Sequence, residues 1–187
     1  MSIETLLPPM PATELWDSWL VLRHWAIQAK LGMFFDDPSK RPHLKPAVLW
    51  EVEQGRALSR DRIERAAAIR SEWYRRADAL FDRFDALVLP TAQVWPFVVA
   101  IVHPTEIAGR AMDTYHRWME VVIPAGLIGL PAVAVPAGFG AQGLGGSGLP
   151  MGLQLIGRHG NDLGILQLAE AWHRATDWPG HRPPTFA

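Results

Sequence analysis

The chain of 187 residues contains no cysteine, so disulfides and thiolate metal sites are excluded. Lysine is scarce: only Lys30, Lys40 and Lys45 occur, and no two serines are adjacent anywhere. Charge of either sign shows no excess. The formal net charge is −1, so nothing draws the protein toward nucleic acid or anionic lipid. The basic cluster Lys40-Arg41-Pro42-His43 is too short to argue otherwise and reads as a solvated loop. The largest gap is local. From Val121 to Gly157 no charged residue occurs. Such a run is a membrane segment, a disordered linker or the buried centre of a fold. A spanning helix needs about 20 apolar residues in helical conformation. Here Pro124, Pro131 and Pro136 interrupt the run, with Gly126, Gly129 and Gly138 among them. Each interior proline removes a donor and clashes with the preceding turn, costing roughly 3 kcal/mol. A disordered linker would be polar and poor in branched apolar residues, which this run is not.

What remains is two short buried strands, Pro131–Ala137 and Met151–Ile156, each bounded by glycine and proline. Strands apolar on both faces belong in mid-sheet, with helices over each side. Val133 and Val135 then face one way, and Ala132 and Ala134 the other, where small side chains let a helix approach closely. The glycine-rich 138–150 stretch is a loop that can make the two strands sheet neighbours. Hydrophobic residues make up 49% of the chain, enough for a core, and one domain over 1–187 is expected. Residues 1–84 read as mainly helical and 85–187 as the strands and helices of a sheet core.

The spacing of apolar residues predicts a helix over Thr13–Lys30, with Leu15, Trp16, Trp19, Leu20, Ala26 and Ile27 along one stripe. Thr13 stands at its N-cap and Gly32 beyond its end. Pro46–Gln54 is a second helix, with Gly55 as its stop. Arg60–Phe84 is the longest, with Ile63, Ala66, Ala67, Trp73, Ala77, Leu80, Phe81 and Phe84 on its apolar face. Asp85–Leu89 reads as a strand and Ala111–Val122 as a helix that stops near Pro124. Asp162–Ala175 closes the fold through Leu163, Leu166, Ala169 and Trp172. Alternating helices and strands argue an α/β fold. The opening MSIETLLPPMP has neither a basic n-region nor a long apolar core, so it does not read as a signal peptide, and a cytoplasmic location is the default expectation.

Two segments, TYHRWMEVVIPAGLIGLPAVAVPAGF (114–139) and GLPMGLQLIGRHGNDLGILQLAEAW (148–172), resemble the C-terminal part of the amidase signature family. ALVLPTAQVWPF (86–97) is similar to the family's strand ending in a proline–threonine–alanine segment. The resemblance runs from about Leu15 to the end. It implies an α/β fold, the C-terminal part of the amidase signature fold, with a mixed sheet covered by helices. It also implies hydrolysis of carboxamide C–N bonds by a Ser–Ser–Lys arrangement without a cofactor. That arrangement sits in the family's N-terminal half, and these 187 residues carry no match to it: no serine pair occurs, and all three lysines precede the matching segments. No catalytic residue is therefore assigned in this chain.

The resemblance further implies that the segment before Pro124 borders the substrate cleft. It makes Tyr115, Trp118 and Met119 candidate substrate-binding residues. Core packing is the competing reading for both aromatics, since aromatic side chains dominate cores. In glutamine-dependent amidotransferases of this family, an aspartate stands at the position of Met119 and meets the substrate's ammonium group. Methionine cannot do that, which disfavours a glutamine donor. Gln154, polar within an apolar strand, is expected to satisfy a buried backbone group. Gly145-Gly146-Ser147-Gly148 imitates a nucleophile loop, but Leu149 stands where the nucleophile-elbow pattern requires glycine. It reads as a solvated turn; the alternative is Ser147 as nucleophile with His116 or His159. The seven histidines form no metal-binding spacing, so no metal is expected.

Three functions follow. The chain is the C-terminal portion of an amidase acting on a small-molecule amide, inactive by itself. Or it is a binding or scaffold chain, including a split amidase completed by an N-terminal half or by self-association. Or it is an unrelated hydrolase centred on Ser147. Under the first two, apolar surface and open strand edges are expected on the isolated chain.

Overall fold

The computed structural model describes residues 2–140 and 148–180. The chain divides into two compact units, Met1–Ala77 and Asp78–Ala187.

The first unit is built on helices. α1 spans Ala12–Asp36, α2 Pro46–Arg56 and α3 Arg60–Leu80. Pro11, not Thr13, precedes α1, and the helix runs past Lys30 to Asp36. Neither glycine read as a stop ends its helix; Gly32 and Gly55 both lie inside. The reason at Gly55 is close approach. A Cβ there would stand 2.4 Å from the His24 carbonyl oxygen and 2.5 Å from Gln28 Cβ, so α1 and α2 touch backbone to backbone. At Gly32 the helix continues because Phe35, one turn on, is buried with the Arg41 and Arg56 guanidinium carbons 4.0 and 4.8 Å from its ring centroid. Those cations cover the ring face and keep their heads at the surface.

The buried stripe of α1 differs from the expected one. Leu15 and Trp16 are buried, but so are Ser18 and His24, whereas Ala26 is exposed. Polar residues sit inside because each has a partner. Ser18 Oγ donates to the Ala66 carbonyl of α3 at 2.8 Å, and His24 meets the Trp50 ring edge to face at 4.9 Å. Glu51 is buried as well, and Arg23 Nε donates to its Oε1 at 3.0 Å. On α3 the buried residues are Ala66, Trp73 and Ala77, while Ala67 is exposed. α3 stops at Leu80, short of Phe84, where Phe81–Phe84 form turns.

The second unit contains a three-stranded sheet in the order β1-β5-β4, with β1 at Leu87–Pro90, β4 at Ala132–Phe139 and β5 at Pro150–Ile156. β4 and β5 are neighbours, as expected, and both pairings are antiparallel. No parallel pair occurs among the described strands, and β4 lies at a border of the sheet rather than in its middle. Opposed residues of an antiparallel pair share a face. Val133 and Val135 therefore stand with Leu155 and Leu153. That face packs on α5 (Asp162–Thr176) through Ile165, Ala169, Leu168 and Trp172. Leu163 and Leu166, read as core residues, are exposed on the opposite side of α5. Ala132 and Ala134 are exposed rather than covered by a closely packed helix. At the far end of β4, Pro136 lacks an N–H and its carbonyl accepts from Trp172 Nε1 at 2.8 Å. That half of the outer edge is thus shielded from pairing.

One further region departs from expectation. Ala111–Val122 is not one helix. Ala108 and Gly109, at φ 50° and 78°, turn the chain so that β2 (Glu106–Ile107) pairs with β3 (Arg110–Ala111). A 3-10 helix then covers Arg117–Val122, and α4 spans only Ile123–Gly126. Pro124 sits in the first turn of α4, where its missing donor costs nothing. Among the described residues no helix is long and apolar enough to cross a membrane.

Candidate functional site

β1 ends at Pro90 and leads directly to the candidate wall. The backbone N–H and the hydroxyl of Thr91 both donate to the Gly152 carbonyl at 3.0 Å. A side chain at residue 152 would meet Thr91 Oγ1 and the Val135 carbonyl at 3.0 Å, which explains why glycine stands there. Two glutamines then fix the segment opposite. Gln154 Nε2 donates to the carbonyls of Pro90 (2.8 Å) and Val121 (3.1 Å), and Gln93 Oε1 accepts from the Val121 N–H at 3.0 Å. Gln154 thus satisfies backbone groups, as its place in the strand suggested. Together they hold the end of the 3-10 turn beside β1 and β5.

The charges of this segment are engaged with one another. Arg117 donates to both oxygens of Asp113 at 2.9 Å and approaches Glu120 Oε1 at 3.6 Å. Arg110 meets Glu120 Oε2 at 3.0 Å. The Arg117 guanidinium holds the Asp113 carboxyl below its ordinary value, and Asp113 in turn raises Arg117. A depressed carboxyl stabilises the fold above the unfolded value of about 3.9 and loses that contribution as pH falls through the folded value. Asp113→Asn is therefore expected to make the acid limb of melting temperature against pH shallower below the ordinary carboxylate range. Parallel acid limbs for variant and parent would contradict it.

Of the three predicted wall residues, Tyr115 is exposed, while Trp118 and Met119 are half-buried. Tyr115 stands perpendicular to two imidazoles, His103 at 5.7 Å and His116 at 5.1 Å between centroids. His116 is itself buried. Trp118 meets Phe97 at 5.6 Å with an interplanar angle of 83°. The sequence alone does not point to Phe97 or His103 as neighbours of these residues; His103 reads there as an interfacial or capping histidine. The available signal was the charge-free stretch Val94–Val102, in which Phe97, Val98, Val99, Ile101 and Val102 are all exposed. His103 Nδ1 lies 2.9 Å from the Pro104 carbonyl, which can only accept, so Nδ1 carries the proton. The Trp118 indole N–H is buried without a hydrogen-bond partner among the described residues. Removing an unsatisfied donor offsets part of the cost of a smaller ring. Trp118→Phe is accordingly expected to cost less than about 1 kcal/mol in urea denaturation. A larger loss would mean that the N–H is held after all.

Ser147 lies outside the described residues. Among the described residues no group of three histidines or carboxylates could hold a metal ion.

Comparison with known proteins decides the family. The amidase family model matches residues 23–166. The chain belongs to the amidase family. Its relatives include a glutamyl-tRNA(Gln) amidotransferase subunit of Dehalococcoides mccartyi (strain CBDB1), 36% identical over 105 residues, or 55% of this chain and 19% of that protein. The corresponding protein of Symbiobacterium thermophilum (strain DSM 24528 / JCM 14929 / IAM 14863 / T) is 37% identical over 121 residues, or 64% of this chain and 22% of that one. The fold is that of amidase signature enzymes. A bacterial aryl acylamidase of that family superposes with a TM-score of 0.76 at 24% identity, over 94% of this chain and 38% of its own. The chain thus spans about a fifth of the length of these two curated amidotransferase subunits.

Proposed function

We propose that this chain is the C-terminal portion of an amidase domain that hydrolyses a small carboxamide, and that it supplies sheet strands and one wall of the substrate cleft. The observation that carries the reading is the amidase match over residues 23–166. Nucleophile and base come from a Ser–Ser–Lys portion that these 187 residues do not contain, whether continuous with them or separate. There a serine attacks the amide carbonyl, a second serine relays the proton to lysine, and loop amides hold the oxyanion. This chain's part is to hold and orient the amide through Tyr115, Trp118 and Met119, with Gln93 and Gln154 keeping their segment against the sheet. Met119 sets a glutamine donor apart from this site, although the curated relatives are amidotransferase subunits.

A binding or scaffold role is the second reading. It is favoured by the exposed Val98, Val99, Val102, Leu163 and Leu166 and by the open border of β4, features that invite a partner or self-association.

A serine-directed fluorophosphonate probe separates the readings. The 187-residue chain alone is expected to remain unlabelled, and labelling with amide turnover is expected once a polypeptide carrying the Ser–Ser–Lys portion is added. Labelling of the isolated chain at Ser147 would replace the reading with a different hydrolase. No labelling in either state would leave the scaffold role.

A further inference from the structure

We propose that Phe97, seated perpendicular to Trp118, is a specificity-determining residue that selects an uncharged, flat aromatic amide at this wall. The inference rests on the reading of Tyr115, Trp118 and Met119 as cleft wall, and goes beyond it by naming a further residue and a substrate class.

Three observations converge. The first is geometric. Phe97 and Trp118 stand 5.6 Å apart at 83°, so their rings form an L-shaped corner. Aromatic rings prefer offset-stacked or edge-to-face contacts. A corner of this kind offers both to a third flat ring, whereas an alkyl group gains only burial from it. Tyr115 and His103, at 90° and 5.7 Å, make a second corner beside the first in sequence.

The second is the cost of leaving the wall bare. Phe97 opens a run in which Val98, Val99, Ile101 and Val102 are exposed to solvent without a single charge among them. Covering such surface with an apolar ligand is favourable, and covering it with an ion is not.

The third is electrostatic. The charged groups of the adjoining segment, Asp113, Arg117, Glu120 and Arg110, already engage one another. Met119 adds no counter-charge. An ammonium or carboxylate on the substrate would lose hydration here and displace an existing pair to regain a partner.

The test is ligand-observed saturation-transfer NMR on the 187-residue chain, a measurement that works in any association state. The probes are benzamide, propionamide and glycinamide. Benzamide is expected to bind about 3- to 10-fold more tightly than propionamide, the range that an aromatic pair contributes beyond burial. Glycinamide is expected to bind most weakly. Phe97→Ala should bring the benzamide-to-propionamide ratio close to one, and Phe97→Tyr, which keeps the ring, should preserve it. Should Phe97→Ala lose its native circular dichroism, Phe97→Leu gives the same comparison. An unchanged ratio in the ring-less variants, glycinamide binding as tightly as benzamide, or no binding by any probe would each overturn the proposal. The underlying reading has its own arm. Tyr115→Ala and Met119→Ala should weaken all uncharged amides together. If they do while Phe97 has no effect, the wall stands and its aromatic selectivity falls. If they do not, the wall itself is misplaced.

Discussion

Gly55→Val is expected to destabilise the helical unit by about 1–3 kcal/mol or more, while Gly32→Ala in the same pair of helices is neutral or stabilising by up to about 1 kcal/mol. The two glycines look alike in sequence and both lie inside helices. Their surroundings differ. At Gly55 a Cβ falls 2.4 Å from a backbone oxygen of α1, which cannot rotate away, so the helices must separate. Packed interiors resist such separation because neighbouring side chains leave their contacts together. At Gly32 the nearest atoms are the ends of two flexible side chains, Gln28 at 3.6 Å and Arg56 at 3.8 Å, ordinary van der Waals distances. Alanine there gains helix propensity without a clash. Urea denaturation of both variants reads the contrast directly. Equal effects of one sign would show that the α1–α2 contact is looser than the close approach at Gly55 implies.

Arg23→Ala is expected to cost about 2–3 kcal/mol. Glu51 is 2% exposed, and its Oε1 accepts from Arg23 Nε at 3.0 Å. Removing one partner of a buried pair leaves a charge in low dielectric and costs about 3–5 kcal/mol; the lower figure here reflects Arg23, whose side chain is 36% exposed and partly screened. Part of the loss is packing, because the Arg23 guanidinium also lies 5.4 Å from the Trp19 ring. The double variant Arg23→Ala/Glu51→Leu should be more stable than Arg23→Ala alone, because it also removes the buried carboxylate. A single variant within about 0.5 kcal/mol of the parent would show that the carboxylate does not depend on Arg23.

Some of this was legible along the chain. The charge-free stretch from Val121 to Gly157 reads as paired strands, and β4 and β5 are paired there, because proline and glycine spacing forbids the alternatives on local grounds. Val133 and Val135 face the core for an equally local reason, the two-residue period of a strand. The family was readable in the order of segments such as GLPMGLQLIG, and the match over 23–166 agrees. The helix ends are less legible. Gly32 and Gly55 carry the sequence mark of a stop, yet helix ends are set by competing long-range contacts: Phe35 under two guanidiniums, and Gly55 against α1.

The candidate wall divides the same way. The family resemblance makes Tyr115, Trp118 and Met119 candidates, whereas Phe97 meets Trp118 and His103 meets Tyr115 only through the fold, since nothing local marks a phenylalanine as the perpendicular neighbour of a tryptophan further along the chain. The anchoring of the segment is also tertiary in origin: the side-chain amides of Gln93 and Gln154, both distant in sequence, hold the Val121 backbone. The sequence by itself determined β4 and β5, the family and the absence of a serine pair, because these depend on residue type and short-range spacing. The helix limits, the buried Arg23–Glu51 pair and the aromatic corner were decided by tertiary structure, because each depends on groups that meet only once the chain has packed.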